Sequence, residues 1–144
     1  MTRVHVVGAG LVGTSLGLAL TRLGDDVTLE DISPTHAALA RDLGAGRLPE
    51  GPVDPDLVVV ATPPDVTAPC VADALHRWPD AGVTDVASVK GAVLAALRAD
   101  GADLTRYCGS HPMAGRERSG PLAARADLFL GRPWVITPHA ATTT

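Results

Sequence analysis

Three short stretches of this chain carry residues that could do chemistry. The first is Gly8-Ala9-Gly10-Leu11-Val12-Gly13, a G-x-G-x-x-G turn. Gly8 would permit a tight bend. Gly10 would let a pyrophosphate approach the backbone, and Gly13 would let a helix pack close to the preceding strand. N–H groups and the dipole at that helix start would face the phosphates. If the ligand is NAD, an acid should follow about 20 residues on to hold the ribose hydroxyls, and Asp31 stands there, after Glu30. The second stretch is Ala61-Thr62-Pro63, closing an apolar run. The third is split between Ser88 with Lys90 and Ser110 with His111. Histidine is well suited to take a proton near neutral pH. Ser88 could hydrogen-bond a substrate hydroxyl or orient the imidazole. Plainer readings stand beside these. They are a structural glycine turn, the similar glycine loop of methyltransferases, a Pro-rich turn at Thr62-Pro63, and a turn-capping His111 before Pro112.

Such residues need a frame, and the apolar pattern supplies one. Residues 4–7 read as a buried strand. Val12, Leu16, Ala19, Leu20 and Leu23 share one helical face, and Gly24 stops that helix. Residues 27–29 make the second strand. Ser33-Pro34 reads as a cap and a first helical position for a helix over 35–43. Three prolines and two glycines in 45–55 predict a short or irregular third strand. Strands follow at 57–61, 83–86, 107–109 and 134–137. Helices are expected at 66–77, with Pro69 in the first turn, around Val93, Leu94 and Leu97, and at 123–130. The alternation predicts a Rossmann-type, doubly wound, mostly parallel α/β sheet with helices on both faces. Ligands of such sheets lie outside the carboxyl ends of the strands. That edge would collect Thr62, Pro63, Ser88, Lys90, Ser110 and His111. Of the other histidines, His5 is expected in the core, His36 and His76 on solvent-facing helix sides, and His139 in the tail.

Length and composition set bounds. At 144 residues the chain is about one domain. Apolar residues make up 46%, yet none of their runs approaches the roughly 18 needed to span a membrane. No signal peptide is evident. Net charge is −4 with signs interspersed, which argues against nucleic acid as a partner. Cys70 and Cys108 lack metal or redox spacing, which predicts no metal site and fits a reducing cytoplasm. Aromatics are 3%, so the core must be Val, Leu and Ala, as in a helix-covered parallel sheet. Eleven arginines accompany a single lysine, Lys90. No basic residue directly follows Asp31, and Arg41 is the nearest downstream arginine, so NAD is expected over NADP.

Asp85-Val86-Ala87-Ser88-Val89-Lys90 and Gly109-Ser110-His111-Pro112-Met113-Ala114-Gly115, with Glu117, resemble the two signature stretches of the prephenate/arogenate dehydrogenase family. The likeness runs from Gly8 to Pro138. It implies NAD-dependent oxidative decarboxylation of prephenate or arogenate to 4-hydroxyphenylpyruvate or tyrosine, in tyrosine biosynthesis. It implies His111 as the catalytic histidine at the C4 hydroxyl and Ser88 as its assistant. Ser110 and Glu117 would lie near the substrate. Gly8, Ala9, Gly10, Leu11, Val12, Gly13, Asp31, Ala61, Thr62 and Pro63 would hold NAD. Members of that family continue into a helical domain that forms a homodimer and supplies a substrate-binding arginine. The expectation is therefore a nucleotide-binding domain over 1–138, with 139–144 as the start of a helical domain or a tail. Arg116 and Arg118 could attract a dianionic substrate, although no motif assigns them. Two other readings remain: another two-domain hydroxyacid-type dehydrogenase fragment, and a non-catalytic nucleotide-binding module.

Overall fold

The near-continuous Val/Leu runs do form parallel strands buried on both faces, as such runs should. The computed structural model describes residues 1–114 and 120–142. Its main sheet contains β1 (Arg3–Val7), β2 (Asp26–Glu30), β3 (Leu57–Val60) and β4 (Gly82–Asp85), in the order β2-β1-β3-β4 and all parallel. Register places Val6 beside Leu29 on one side and Val59 on the other. Helices α1 (Leu11–Arg22), α2 (Pro34–Asp42), α3 (Pro64–Arg77) and α4 (Lys90–Ala99) cover it. Because strand side chains alternate, the sheet has two cores. Val4, Val6, Leu29 and Val59 pack with Leu16 of α1 and Ala40 of α2. Val58, Val60 and Val83 pack with Val71 and Leu75 of α3 and Val93 and Leu97 of α4. Helices thus lie on both faces, as the sequence predicts.

Local signals explain most boundaries. Ser33 accepts the His36 N–H and Pro34 occupies the first turn of α2. The third strand shrinks to a single parallel bridge between Thr28 and Arg47. Three expectations need correction. First, α3 starts at Pro64, because proline presets the dihedral of a first helical turn. Pro69 therefore sits inside the helix, where it cannot donate to the Asp65 carbonyl. Second, 107–109 is no strand of the parallel sheet. Tyr107 makes one bridge to Val83, and the chain continues as β5 (Gly109–Pro112), paired antiparallel with β6 (Trp134–Thr137). Third, 123–130 is not a helix. A 3-10 turn spans Pro121–Ala123, and the Arg125 N–H goes to Ser15 Oγ rather than to a preceding carbonyl. Among the described residues, no helix is long and apolar enough to cross a membrane.

Candidate active site

The turn after β1 is shaped by its glycines. Gly8 takes φ 106°, and its N–H donates to the Glu30 carbonyl at 2.8 Å. A Cβ there would lie 2.5 Å from the Ala61 carbonyl oxygen and 3.1 Å from the Thr62 nitrogen. A Cβ at Gly13 would run into the Gly8 carbonyl oxygen. The end of β3 is thus pressed onto the turn, which brings Ala61 and Thr62 beside Gly8 and Gly13. Pro63 is exposed at the head of α3. Gly10 differs, because a Cβ there would meet nothing within 4 Å. No side chain caps α1 at Gly10, and the N–H groups of Leu11, Val12 and Gly13 open the helix without intrahelical acceptors. Open backbone, free N–H donors and the positive end of a 12-residue helix fit a pyrophosphate.

Asp31 is fastened to the same corner. Ala9 N–H donates to its Oδ2 at 2.7 Å and Ser33 N–H to its Oδ1 at 2.8 Å. The next residue, Ile32, is fully exposed. Behind Asp31 lies a polar knot. Arg77 binds both carboxylate oxygens of Glu30, at 2.9 and 3.3 Å, and stacks over Trp78. His5, fully buried as expected, contacts Thr28 Oγ1 through Nδ1 at 2.7 Å. Its Nε2 stands 3.4 Å from Glu30, long for a hydrogen bond, so Arg77 is the firmer partner. His5 and Arg77 together hold the Glu30 carboxyl down at about 2.

At the other end of the edge, Asp85 closes β4 with a fully buried carboxylate. It accepts Tyr107 Oη–H at 2.5 Å, Ala87 N–H at 3.0 Å and the Lys90 ammonium. Burial, and then the adjacent Asp85 carboxylate, push the Tyr107 hydroxyl well above the usual phenol range. Ser110 Oγ donates to the Asp85 carbonyl at 2.8 Å and accepts from Thr84 Oγ1 at 3.1 Å. Ser110 is buried and its hydroxyl is engaged by β4, so it fastens β5 to that strand. His111, next along β5, faces the opposite side. Its ring is half-buried and has no hydrogen bond among the described residues. Ser88 is exposed on the loop between β4 and α4. Glu117, Arg116 and Arg118 lie outside the described residues. Among the described residues no group of His, Cys, Asp and Glu could hold a metal ion.

The structure thus brings Gly8, Gly13, Asp31, Ala61 and Thr62 to one corner, while Asp85 gathers Ala87, Lys90, Tyr107 and Ser110, the chain neighbours of Ser88 and His111. The sequence reading missed Asp85 and Tyr107 as members. The available signal was an acid ending an apolar strand with the single lysine five residues on. His139 was also missed: Nε2 contacts the Tyr107 carbonyl at 3.0 Å, so the tail is anchored.

Residues 16–144 match the family described as prephenate dehydrogenase, nucleotide-binding domain. A probable prephenate dehydrogenase from Streptomyces niveus is 46% identical over 142 residues, covering 99% of this chain and 39% of that protein. The structure of prephenate dehydrogenase from Aquifex aeolicus in complex with hydroxyphenyl propionate and NAD+ is 30% identical with a TM-score of 0.88, covering 99% of this chain and 52% of that one. Synechocystis arogenate dehydrogenase is 28% identical with a TM-score of 0.84, covering 98% and 51%. The chain therefore spans about two-fifths to half the length of these relatives.

Proposed function

The chain belongs to the prephenate dehydrogenase family, as its nucleotide-binding domain, and from that premise we propose that it binds NAD and carries the proton-transfer residues for oxidative decarboxylation of prephenate or arogenate. The observation that carries this reading is the open backbone at Gly10 beside an acid already fixed by Ala9 N–H. The N–H groups of Leu11, Val12 and Gly13 would hold the pyrophosphate. Asp31 would take the ribose hydroxyls, and Ala61, Thr62 and Pro63 would border the far side. Bound NAD supplies a hydride acceptor.

His111 accepts the proton of the C4 hydroxyl as carbonyl character develops there. Ser88 hydrogen-bonds the same hydroxyl and aligns it. Loss of CO2 then leaves an aromatic ring, so the electrons of the broken C–C bond replace those that leave with hydride. Ser110 holds β5 against β4 and fixes the backbone from which His111 projects. A substrate contact from Glu117, a homodimer formed through a helical region, and a cytoplasmic location consistent with free Cys70 and Cys108 belong to the same proposal.

The test is calorimetric titration of the chain with NAD, followed by an assay for reduced nicotinamide with prephenate and with arogenate. Saturable NAD binding by the 144-residue chain is expected, with little NADH release until a separately expressed helical domain of a relative is added. Absence of NAD binding overturns the cofactor assignment. Binding without turnover on either substrate even with that helical domain present overturns the catalytic one and favours a nucleotide-binding module.

A further inference from the structure

We propose that Asp85, Lys90 and Tyr107 form a buried latch that sets the Ser88 loop against the His111 strand, with Lys90 and Tyr107 as positioning residues. The functional meaning of the latch rests on the dehydrogenase reading; its existence does not.

One carboxylate joins four pieces of chain. Asp85 ends β4, Ala87 N–H lies in the loop that carries Ser88, Lys90 opens α4, and Tyr107 leads into β5. Asp85 has no solvent exposure, and the Lys90 side chain only 19%. An ionised carboxylate at such a site is costly unless charge and donors surround it. Here an ammonium, a phenol and an amide do so. The latch reaches the His111 strand twice. Ser110 Oγ donates to the Asp85 carbonyl at 2.8 Å. A Cβ on Gly109 would meet the Tyr107 hydroxyl at 3.0 Å and Lys90 Cδ at 3.2 Å, so the backbone of β5 lies directly on the pair. Gly109 and His111 share a face of that strand. The same crowding accounts for a lysine in a chain of eleven arginines. A slim ammonium on a flexible stem fits beside Gly109, whereas a planar guanidinium fork would strike Tyr107 or the strand.

The experiment is hydrogen exchange by mass spectrometry on the 144-residue chain, reading peptides over 86–89 and 109–111, with β1 and α1 as internal reference. Tyr107→Phe keeps the ring and removes one hydrogen bond. It should raise exchange about tenfold in both peptides together, equivalent to losing one hydrogen bond to a charged group, while the reference peptides and NAD affinity stay unchanged. Lys90→Met should loosen both peptides further, and Asp85→Asn added to it should recover part of the protection by removing the uncompensated charge. If Lys90→Met does not fold, the Tyr107→Phe result decides. Loosening of one peptide without the other, or of neither, overturns the latch. In turnover assays Tyr107→Phe should lower kcat about tenfold with KM for NAD unchanged, a split that general destabilisation does not produce. Coupled exchange in a wild-type chain that shows no turnover even with a helical domain supplied supports the latch and overturns the dehydrogenase reading alone.

Discussion

Asp31 holds the glycine turn in the structure and, on the proposed reading, holds the ribose as well. Asp31→Asn and Asp31→Ala separate those duties. The carboxylate accepts Ala9 N–H at 2.7 Å and Ser33 N–H at 2.8 Å. Hydrogen bonds to a charged group contribute about 1.5–3 kcal/mol each, and the low end applies to a half-buried acid. Asp31→Ala, which loses both, should lower stability by about 3 kcal/mol. Asp31→Asn keeps one acceptor oxygen and should lower it by about half as much. For the cofactor, losing the charge-assisted bond to the ribose weakens NAD about tenfold. A 2′-phosphate gains instead. Like charges about 4 Å apart repel by about 4 kcal/mol at an effective dielectric of 20, and solvent access at this exposed corner cuts the realised relief to about 1–2 kcal/mol.

Together these changes should shrink the preference of the wild type for NAD over NADP by about 100-fold in Asp31→Asn. Ile32→Arg should push the same way by supplying a cation where the wild type exposes an apolar side chain. The assay is calorimetric titration with each cofactor at one ionic strength, beside thermal unfolding of each variant. Wild-type binding of NADP as tight as NAD would refute the reasoning. So would an Asp31→Asn variant that keeps the wild-type ratio, because a carboxylate that merely props up the turn would weaken both cofactors alike.

The sheet was legible because parallel strands buried on both faces leave near-continuous apolar runs, and residues 4–7 and 57–60 carry them, whereas β4 offers only Val83 before Thr84 and Asp85. The glycine turn was legible because each of its glycines answers a separate steric demand at fixed spacing. Reading failed where tertiary partners override local signals. Ser110, His111 and Pro112 look like residues beyond a strand end, since proline cannot donate to a ladder. Pairing with Trp134–Thr137 makes them a strand all the same. Alternation along β5 also turns the Ser110 hydroxyl onto β4 while His111 lies on the opposite face, an arrangement that no local pattern announces. The 123–130 stretch has helix-forming residues, but Ser15, far away in sequence, captures the Arg125 N–H. The Asp85 cluster unites β4, its loop and β5 through contacts 5 and 22 residues apart, a separation that no local pattern encodes. Lys90 was visible only as a compositional oddity, and its meaning needed the buried carboxylate.

Three further outcomes are expected. Gly10→Ala should leave the melting temperature unchanged, since its Cβ meets nothing in the free protein, yet weaken NAD; Gly13→Ala should also cost about 1–3 kcal/mol of stability, because its Cβ meets backbone. Equal melting losses in the two variants would contradict this. In an enzyme completed by a helical domain, His111→Asn should lower turnover by about 10²–10⁴-fold with NAD affinity intact; near-normal turnover would remove the proposed proton acceptor. The last concerns acid stability. Glu30 has its folded pKa lowered from 4.5 to about 2 by His5 and Arg77. The unfolded chain therefore binds more protons between those values, so stability from this group is present above pH 4.5 and is lost as pH falls toward 2. The full shift corresponds to about 3 kcal/mol, and solvent screening at a group one-third exposed reduces it to about 1–2 kcal/mol. Urea midpoints measured from neutral pH downward should drop in that window for the wild type. Asp56, also lowered to about 2, contributes a background slope in both proteins, so the informative quantity is the difference from Glu30→Gln. That variant should be less stable at neutral pH and should converge on the wild type in acid. If the two curves run parallel through the window, the ion pair with Arg77 does not stabilise the fold, and the knot behind Asp31 holds by packing of His5, Trp78 and the Arg77 stem alone.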